Sequence, residues 1–170
     1  MPAVLIAESD IRARVAELAR DIAHLDGLPD LAVPILVGGF VFAADLLRAL
    51  HASGLALGVE FLRLRSYASA RAAEGEMAVL LVPGEPVAGR HVLLIDGVLD
   101  HGRTLKTARE LVFAAGARAA TTAVVIDKMR NNACIKADFA AFTGIDRFVV
   151  GYGMDDGGRF RSLPYIAAIE

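Results

Sequence analysis

The sequence predicts an α/β fold, a central and mostly parallel sheet flanked by helices. Three observations carry that prediction. The unbroken apolar run at residues 92–95 (VLLI) has the pattern of a strand covered on both faces, and residues 31–37 (LAVPILV) and 121–126 (TTAVVI) read as further strands, the latter buried. Between them lie stretches whose apolar residues recur at helical spacing, so strand and helix alternate as in doubly wound sheets. Each run also stops abruptly at glycine or charge, at Gly38-Gly39, Asp96 and Asp127-Lys128. The carboxyl ends of parallel strands are where such sheets bind ligands.

Taken in order, residues 3–6 open as a short strand. Ser9 is placed to cap a helix running to about His24, with Ile11, Val15, Leu18, Ala19 and Ile22 as its apolar stripe. Gly27 and Pro29 close that helix. Pro34 favours an edge position or an irregular start for the 31–37 strand, because proline has no N–H to give a ladder. Gly38-Gly39 leads into a helix over 40–50 with Phe42, Ala43, Leu46, Leu47 and Leu50 inward, and Gly54 ends it. Residues 59–65 (VEFLRLR) read as a half-exposed strand with Phe61 on its apolar face. Residues 66–77 are small, polar and aperiodic, the composition of a loop that closes over a ligand, and 78–82 return to strand. The 92–95 strand feeds a polar loop, and Leu105, Ala108, Leu111, Val112 and Ala115 carry the helix that follows. Beyond 121–126 the pattern is less regular, with short strands at 139–142, 148–152 and 165–169.

With 170 residues and neither repeat nor linker, the expectation is one domain with a core that needs no disulfide. A net charge of −2 argues against a nucleic-acid partner, which calls for a basic surface. Cys134 is the single cysteine, so no internal disulfide is available, and no Cys/His cluster suggests zinc. Although 55% of residues are hydrophobic, no apolar run approaches the ~18 to 20 residues that span a bilayer. The start, MPAVLIAESD, lacks the basic segment and long apolar run of a secretory leader. A cytoplasmic protein with no membrane partner is expected.

The loop after the 92–95 strand carries the most chemistry. Asp100-His101-Gly102-Arg103-Thr104 offers a small residue for close approach, hydroxyl and backbone donors for a phosphate, and a carboxylate at the entrance. Alone it is also an ordinary strand-to-helix turn, as Gly38-Gly39 alone is a tight turn and Lys128 alone a solvated lysine. Three such strand ends on one rim of one sheet make a shared ligand site.

Several blocks of this chain, ILVGGFVFAADLLRAL, VEFLRLRSYASA, HVLLIDGVLDHGRTL, VVIDK and KADFAAFTGIDRFVVGYGMDDGGRFRSLPYIAAI, resemble the hypoxanthine-guanine type of purine phosphoribosyltransferase. The resemblance covers nearly the whole chain, and the last block is its most specific part. It implies the type I phosphoribosyltransferase fold: a core over about 30–130 and a small hood formed by 1–10 and 137–170. It implies transfer of 5-phosphoribosyl from 5-phosphoribosyl-1-pyrophosphate (PRPP) to hypoxanthine or guanine, with xanthine a further candidate, in purine salvage. Magnesium would be the cofactor, PRPP and an oxopurine base the small-molecule partners, and a homodimer or homotetramer the assembly.

Carried onto this sequence, the resemblance makes Asp100 the catalytic residue, facing N7 of the purine. Asp96 and Asp100 to Thr104, with His101, Gly102 and Arg103 between, would bind PRPP and its 5′-phosphate. Val37, Gly38, Gly39 and Arg161 would hold pyrophosphate. Lys128 would donate to the 6-oxo group, Phe148 would stack on the base, and Val149 and Asp155 would complete the purine site. Asp96 and Asp155 would hold the metal, and Ser66 and Tyr67 would stand on a lid.

Two departures from the family's pattern matter. The central strand ends in Asp96-Gly97, where the family has two adjacent acids that bind the ribose hydroxyls, and Val37 replaces a common basic residue. Adjacent strand residues point to opposite faces, so Asp96 cannot take over the place lost at Gly97. His101 is a further oddity, a titratable donor in the phosphate loop. The change at Gly97 keeps a second reading open: a phosphoribosyltransferase-like nucleotide-binding or regulatory protein with little turnover. A dinucleotide-binding domain ranks below both, since no G-x-G-x-x-G opens a helix.

Overall fold

A computed structural model of the chain describes residues 2–66, 77–81 and 87–169. The elements run β1 (Ala3–Ile6), α1 (Glu8–Ala23), β2 (Leu31–Leu36), α2 (Phe40–Ala52), β3 (Gly58–Val59), β4 (Leu62–Ser66) and β5 (Met77–Leu81). Then follow β6 (His91–Leu99), α3 (Arg103–Ala114), β7 (Ala119–Asp127), β8 (Phe139–Thr143), β9 (Phe148–Val150) and β10 (Ile166–Ile169). The larger sheet has the order β5-β4-β2-β6-β7-β8, with β3 also against β2. Its pairs are parallel except β4 with β5.

The continuous apolar runs are continuous because both faces of these strands are covered. Along β6, Leu93 and Ile95 join the core packed by α1 and α2, whereas Val92 and Leu94 join the core packed by Leu105, Ala108 and Val112 of α3. Strand β7 divides likewise, Ala123 and Val125 to one side and Val124 to the other. A small second sheet, β1-β10-β9, is antiparallel and joins the two chain ends, with Ala3 opposite Ala168 and Val149 opposite Ala168 on the other edge.

Four local expectations are corrected. Pro34 is not on an edge: β2 is central, with β6 on one side and β3 and β4 on the other. It is tolerated because the ladder on the β3/β4 side is interrupted there, between the Ala32–Val59 and Ile35–Leu62 pairings. Ser9 does not cap α1; Ala7 stands at the cap, and its carbonyl accepts from the N–H groups of Asp10 and Ile11 at 3.1 Å each. In the 59–65 segment Leu62 and Leu64 are buried and Phe61 is exposed, because strict alternation puts Phe61 on the face of Arg63. Finally, β6 extends to Leu99, so Asp96 and Gly97 lie within the strand, and its true end is at Asp100.

Candidate active site

The rim of the sheet gathers side chains from four places. Leu99 of β6 and Asp127 of β7 are register partners, and the Lys128 N–H donates to the Leu99 carbonyl at 3.0 Å. Asp100 and Lys128, far apart in sequence, therefore leave adjacent strands side by side. Their side chains meet, Lys128 Nζ donating to Asp100 Oδ2 at 3.1 Å, beside a cavity of about 410 Å³. Gly38, Asp96 and Thr104 also line this cavity, and Phe148, Val149, Asp155 and Arg161 close its far side.

Not every expected residue reaches it. Val37, Gly39, His101, Gly102 and Arg103 belong to segments on its rim but do not line it. Ser66 is the last residue of β4, and Tyr67 lies outside the described residues. The lining residues Met154 and Val98 carried no signal in the sequence, being plain apolar residues in apolar surroundings.

Backbone geometry shapes the floor. Gly102 precedes α3 at φ +80°, where a side chain is strained, and a Cβ there would lie 2.7 Å from Ile135 Cγ2. This leaves the first N–H groups of α3 without a capping side chain, ready for an anion. Behind Gly38, the carbonyl oxygen is hemmed in from two sides. A Cβ on residue 97 would lie 3.0 Å from it and one on residue 153 only 2.7 Å, so glycine at both positions admits the 38–39 backbone to the strand end.

The carboxylates differ in environment. Asp100 is partly buried, which pushes its carboxyl up, but hydrogen bonds and charge from Arg130 and Lys128 outweigh this and hold it below the usual range. Arg130 Nε donates to Asp100 Oδ1 at 2.9 Å. Burial pushes the Asp96 carboxyl up to about 7, against the pull of the Gly97 N–H it accepts at 2.7 Å; it is ion-paired with no cation among the described residues, though it opens onto the cavity. Asp155 is engaged at both oxygens, by Arg161 Nη2 at 2.7 Å and by the Gly158 N–H at 2.7 Å. Arg161 in turn donates to the Gly153 carbonyl at 2.7 Å. Among the described residues no group of three or more His, Cys, Asp or Glu side chains is placed to enclose a metal ion. An uncompensated carboxylate such as Asp96 does fit a hard cation that takes one or two carboxylates and completes its shell with substrate phosphates.

A helix start free for phosphate, a lysine–aspartate pair and an exposed aromatic around one cavity define an α/β protein for a phosphorylated, flat-ringed ligand. Comparison with known proteins narrows the class. Residues 6–156 match the phosphoribosyl transferase domain family. The hypoxanthine phosphoribosyltransferase of Escherichia coli strain K12 is 34% identical over 170 residues, which covers 98% of this chain and 94% of that protein. The bifunctional protein TilS/HprT of Listeria innocua is 33% identical over 169 residues, but this chain spans only 26% of its length. Among solved structures, the hypoxanthine phosphoribosyltransferase of Trypanosoma cruzi in complex with its product IMP superposes with a TM-score of 0.89 at 29% identity, covering 98% of this chain and 93% of that one. The chain belongs to the hypoxanthine phosphoribosyltransferase family and has its type I phosphoribosyltransferase fold.

Proposed function

We propose that this protein transfers the 5-phosphoribosyl group of PRPP to hypoxanthine or guanine, and serves purine salvage. The observation that carries the reading is the Asp100–Lys128 pair, 3.1 Å apart at the mouth of a cavity whose far wall holds Phe148, 55% exposed. A base stacked on Phe148 brings its 6-oxo group to the Lys128 ammonium and N7 to Asp100. An ammonium has three donors and no acceptor, so it rewards an oxo group and leaves the amine of adenine unpaired.

In the reaction N9 bonds to C1′ of the ribosyl ring, the C1′–O bond breaks, and pyrophosphate leaves with that electron pair. Asp100, held ionised by its cations, takes or shares the N7 proton as the base becomes the nucleophile. The 5′-phosphate sits on the 100–104 loop, at the amino end of α3 and the Thr104 hydroxyl. The backbone of 37–39 and Arg161 hold pyrophosphate. Asp96 and Asp155, together with the substrate's own oxygens, would hold magnesium, which would supply charge compensation for the phosphates. On this reading the chain works as one domain, a core over 30–130 under a hood formed by 1–10 and 137–170. It acts in the cytoplasm as a homodimer or homotetramer.

Gly97 favours one other reading, nucleotide binding without turnover, because the second ribose-binding acid is missing. The deciding experiment supplies purified protein with magnesium, PRPP and each of hypoxanthine, guanine, xanthine and adenine, and reads nucleotide by mass. Magnesium-dependent formation of an oxopurine nucleotide is the expected result. Product from adenine alone overturns the role of Lys128; calorimetric nucleotide binding with no product from any base makes this a binding protein.

A further inference from the structure

Asp100 is held from more sides than the proposed chemistry requires. Its Oδ2 accepts from Lys128 Nζ, but its Oδ1 accepts from Arg130 Nε at 2.9 Å, with His101 Nδ1 3.3 Å away. Arg130 does not line the cavity, so its guanidinium reaches the carboxylate from behind. It is braced in turn, Nη2 lying 2.7 Å from Asp146 Oδ1. Asp146 stands two residues before Phe148, the first residue of β9. One planar cation therefore ties the carboxylate at the tip of β6 to the segment that presents the exposed aromatic ring.

This bridge matters when the base arrives. Lys128 donates to Asp100 Oδ2, and in the proposed complex it turns to the 6-oxo group. A carboxylate held only by Lys128 would then be free to rotate. We propose that Arg130 is a positioning residue: braced by Asp146, it fixes Asp100 Oδ1 so that Oδ2 stays aimed at the purine when Lys128 leaves it. The inference rests on the roles given above to Asp100 and Lys128. A guanidinium reaches two carboxylates through two nitrogens of one rigid plane, which a lysine ammonium on a flexible stem does not reproduce. Among the described residues, the charged groups that face Asp100 are Lys128 and Arg130 beyond β7, with the Asp146 carboxylate behind Arg130, and the titratable His101 ring lies beside it on its own loop. Removing Arg130 takes away a cation that favours the ionised carboxylate, so the acid limb of the rate profile must move to higher pH.

The test uses the full chain and compares Arg130→Gln, Arg130→Lys and Asp146→Asn with the parent. Arg130→Gln is expected to lower kcat for hypoxanthine roughly tenfold or more, the effect of one charge-assisted hydrogen bond. The KM for PRPP should stay unchanged while the acid limb of kcat moves up in pH. Arg130→Lys should restore the acid limb but not the full kcat, and Asp146→Asn should lower kcat less than Arg130→Gln. An unchanged kcat and acid limb in Arg130→Gln overturns the inference. So does a loss of kcat that tracks a fall in Tm with the acid limb unmoved, for that is a structural role alone. If the parent makes no nucleotide from any base, the proposed function fails, and Arg130 is judged by calorimetry with inosine monophosphate. A pH dependence of binding that shifts in Arg130→Gln then supports its hold on Asp100, and one that does not shift overturns it.

Discussion

Read from the sequence, Gly97→Asp is a repair that restores a second acid to the central strand and tightens PRPP binding. The structure argues the opposite. Residue 97 is buried, and a Cβ there would lie 3.0 Å from the Gly38 carbonyl oxygen, 3.3 Å from the Gly38 carbonyl carbon and 3.4 Å from Met154 Cγ. The methionine can swing aside. The carbonyl is backbone with little room to give: it is approached closely from residue 153 as well, where a Cβ would lie 2.7 Å from it, and at Gly39 next to it a Cβ would lie 2.8 Å from the Ile95 carbonyl oxygen. Overpacking of this kind costs about 1 to 3 kcal/mol, and in a chain of this size each kcal/mol lowers Tm by about 2 to 4 °C. Gly97→Ala isolates that cost, since it adds the Cβ without the charge. Both variants should lose Tm in calorimetry and show a raised KM for PRPP, as the 37–39 backbone is pushed off its seat. Gly97→Asp should do no better than Gly97→Ala. A Gly97→Asp protein with unchanged Tm and a PRPP KM lowered by roughly tenfold, what one charge-assisted hydrogen bond supplies, would refute the reasoning.

Asp100→Asn keeps the shape of the residue but removes its capacity to hold a proton; turnover with either oxopurine should fall by far more than affinity for the nucleotide, read by steady-state kinetics against calorimetry. Lys128→Gln should cost hypoxanthine roughly ten- to a hundredfold in kcat/KM, one charge-assisted hydrogen bond to the 6-oxo group, while any activity with adenine is unchanged or improved. The carboxyl of Asp96 is raised to about 7 in the fold from 3.8, so the folded state holds a proton that the unfolded chain has lost between those values. With a chelator present, stability should therefore fall as pH rises from about 4 to about 7, and Asp96→Asn should flatten that slope in thermal melts. Asp30 and Asp100, whose carboxyls are lowered, titrate below this window and cannot produce the slope.

The elements that position the site were legible because burial on both faces leaves an unmistakable trace, an apolar run that ends at a charge. Asp100 and Lys128 stand at such transitions, and they are neighbours in space because β6 and β7, in register, end together, whereas Asp96 lies inside β6. What was not legible depends on distant partners. Arg130 lies in a short connection with no periodicity, and its two carboxylates come from the tip of β6 and from the approach to β9. Pro34 misled for the same reason, since its tolerance is decided by where β3 stops and β4 begins. Ser9 failed as a cap because Ala7, with extended backbone at ψ 155°, had already turned the chain into the helix. Gly97 could be read as an absence in the sequence; that its emptiness is filled by the Gly38 carbonyl could not.

The pairing of β1 with β10 carries a temporal consequence. On the ribosome β1 emerges before the other strands described, yet its partner among them, β10, comes last, and β9, which bears Phe148 and Val149, waits for the same partner. The parallel core from β2 to β8 finds its neighbours within a much shorter span of chain. Contacts between distant segments are the slow ones to form. A nascent chain should thus pass through a stage with its phosphate-binding floor laid and its purine wall unbuilt, and deletion of the four residues of β10 should strand the molecule there.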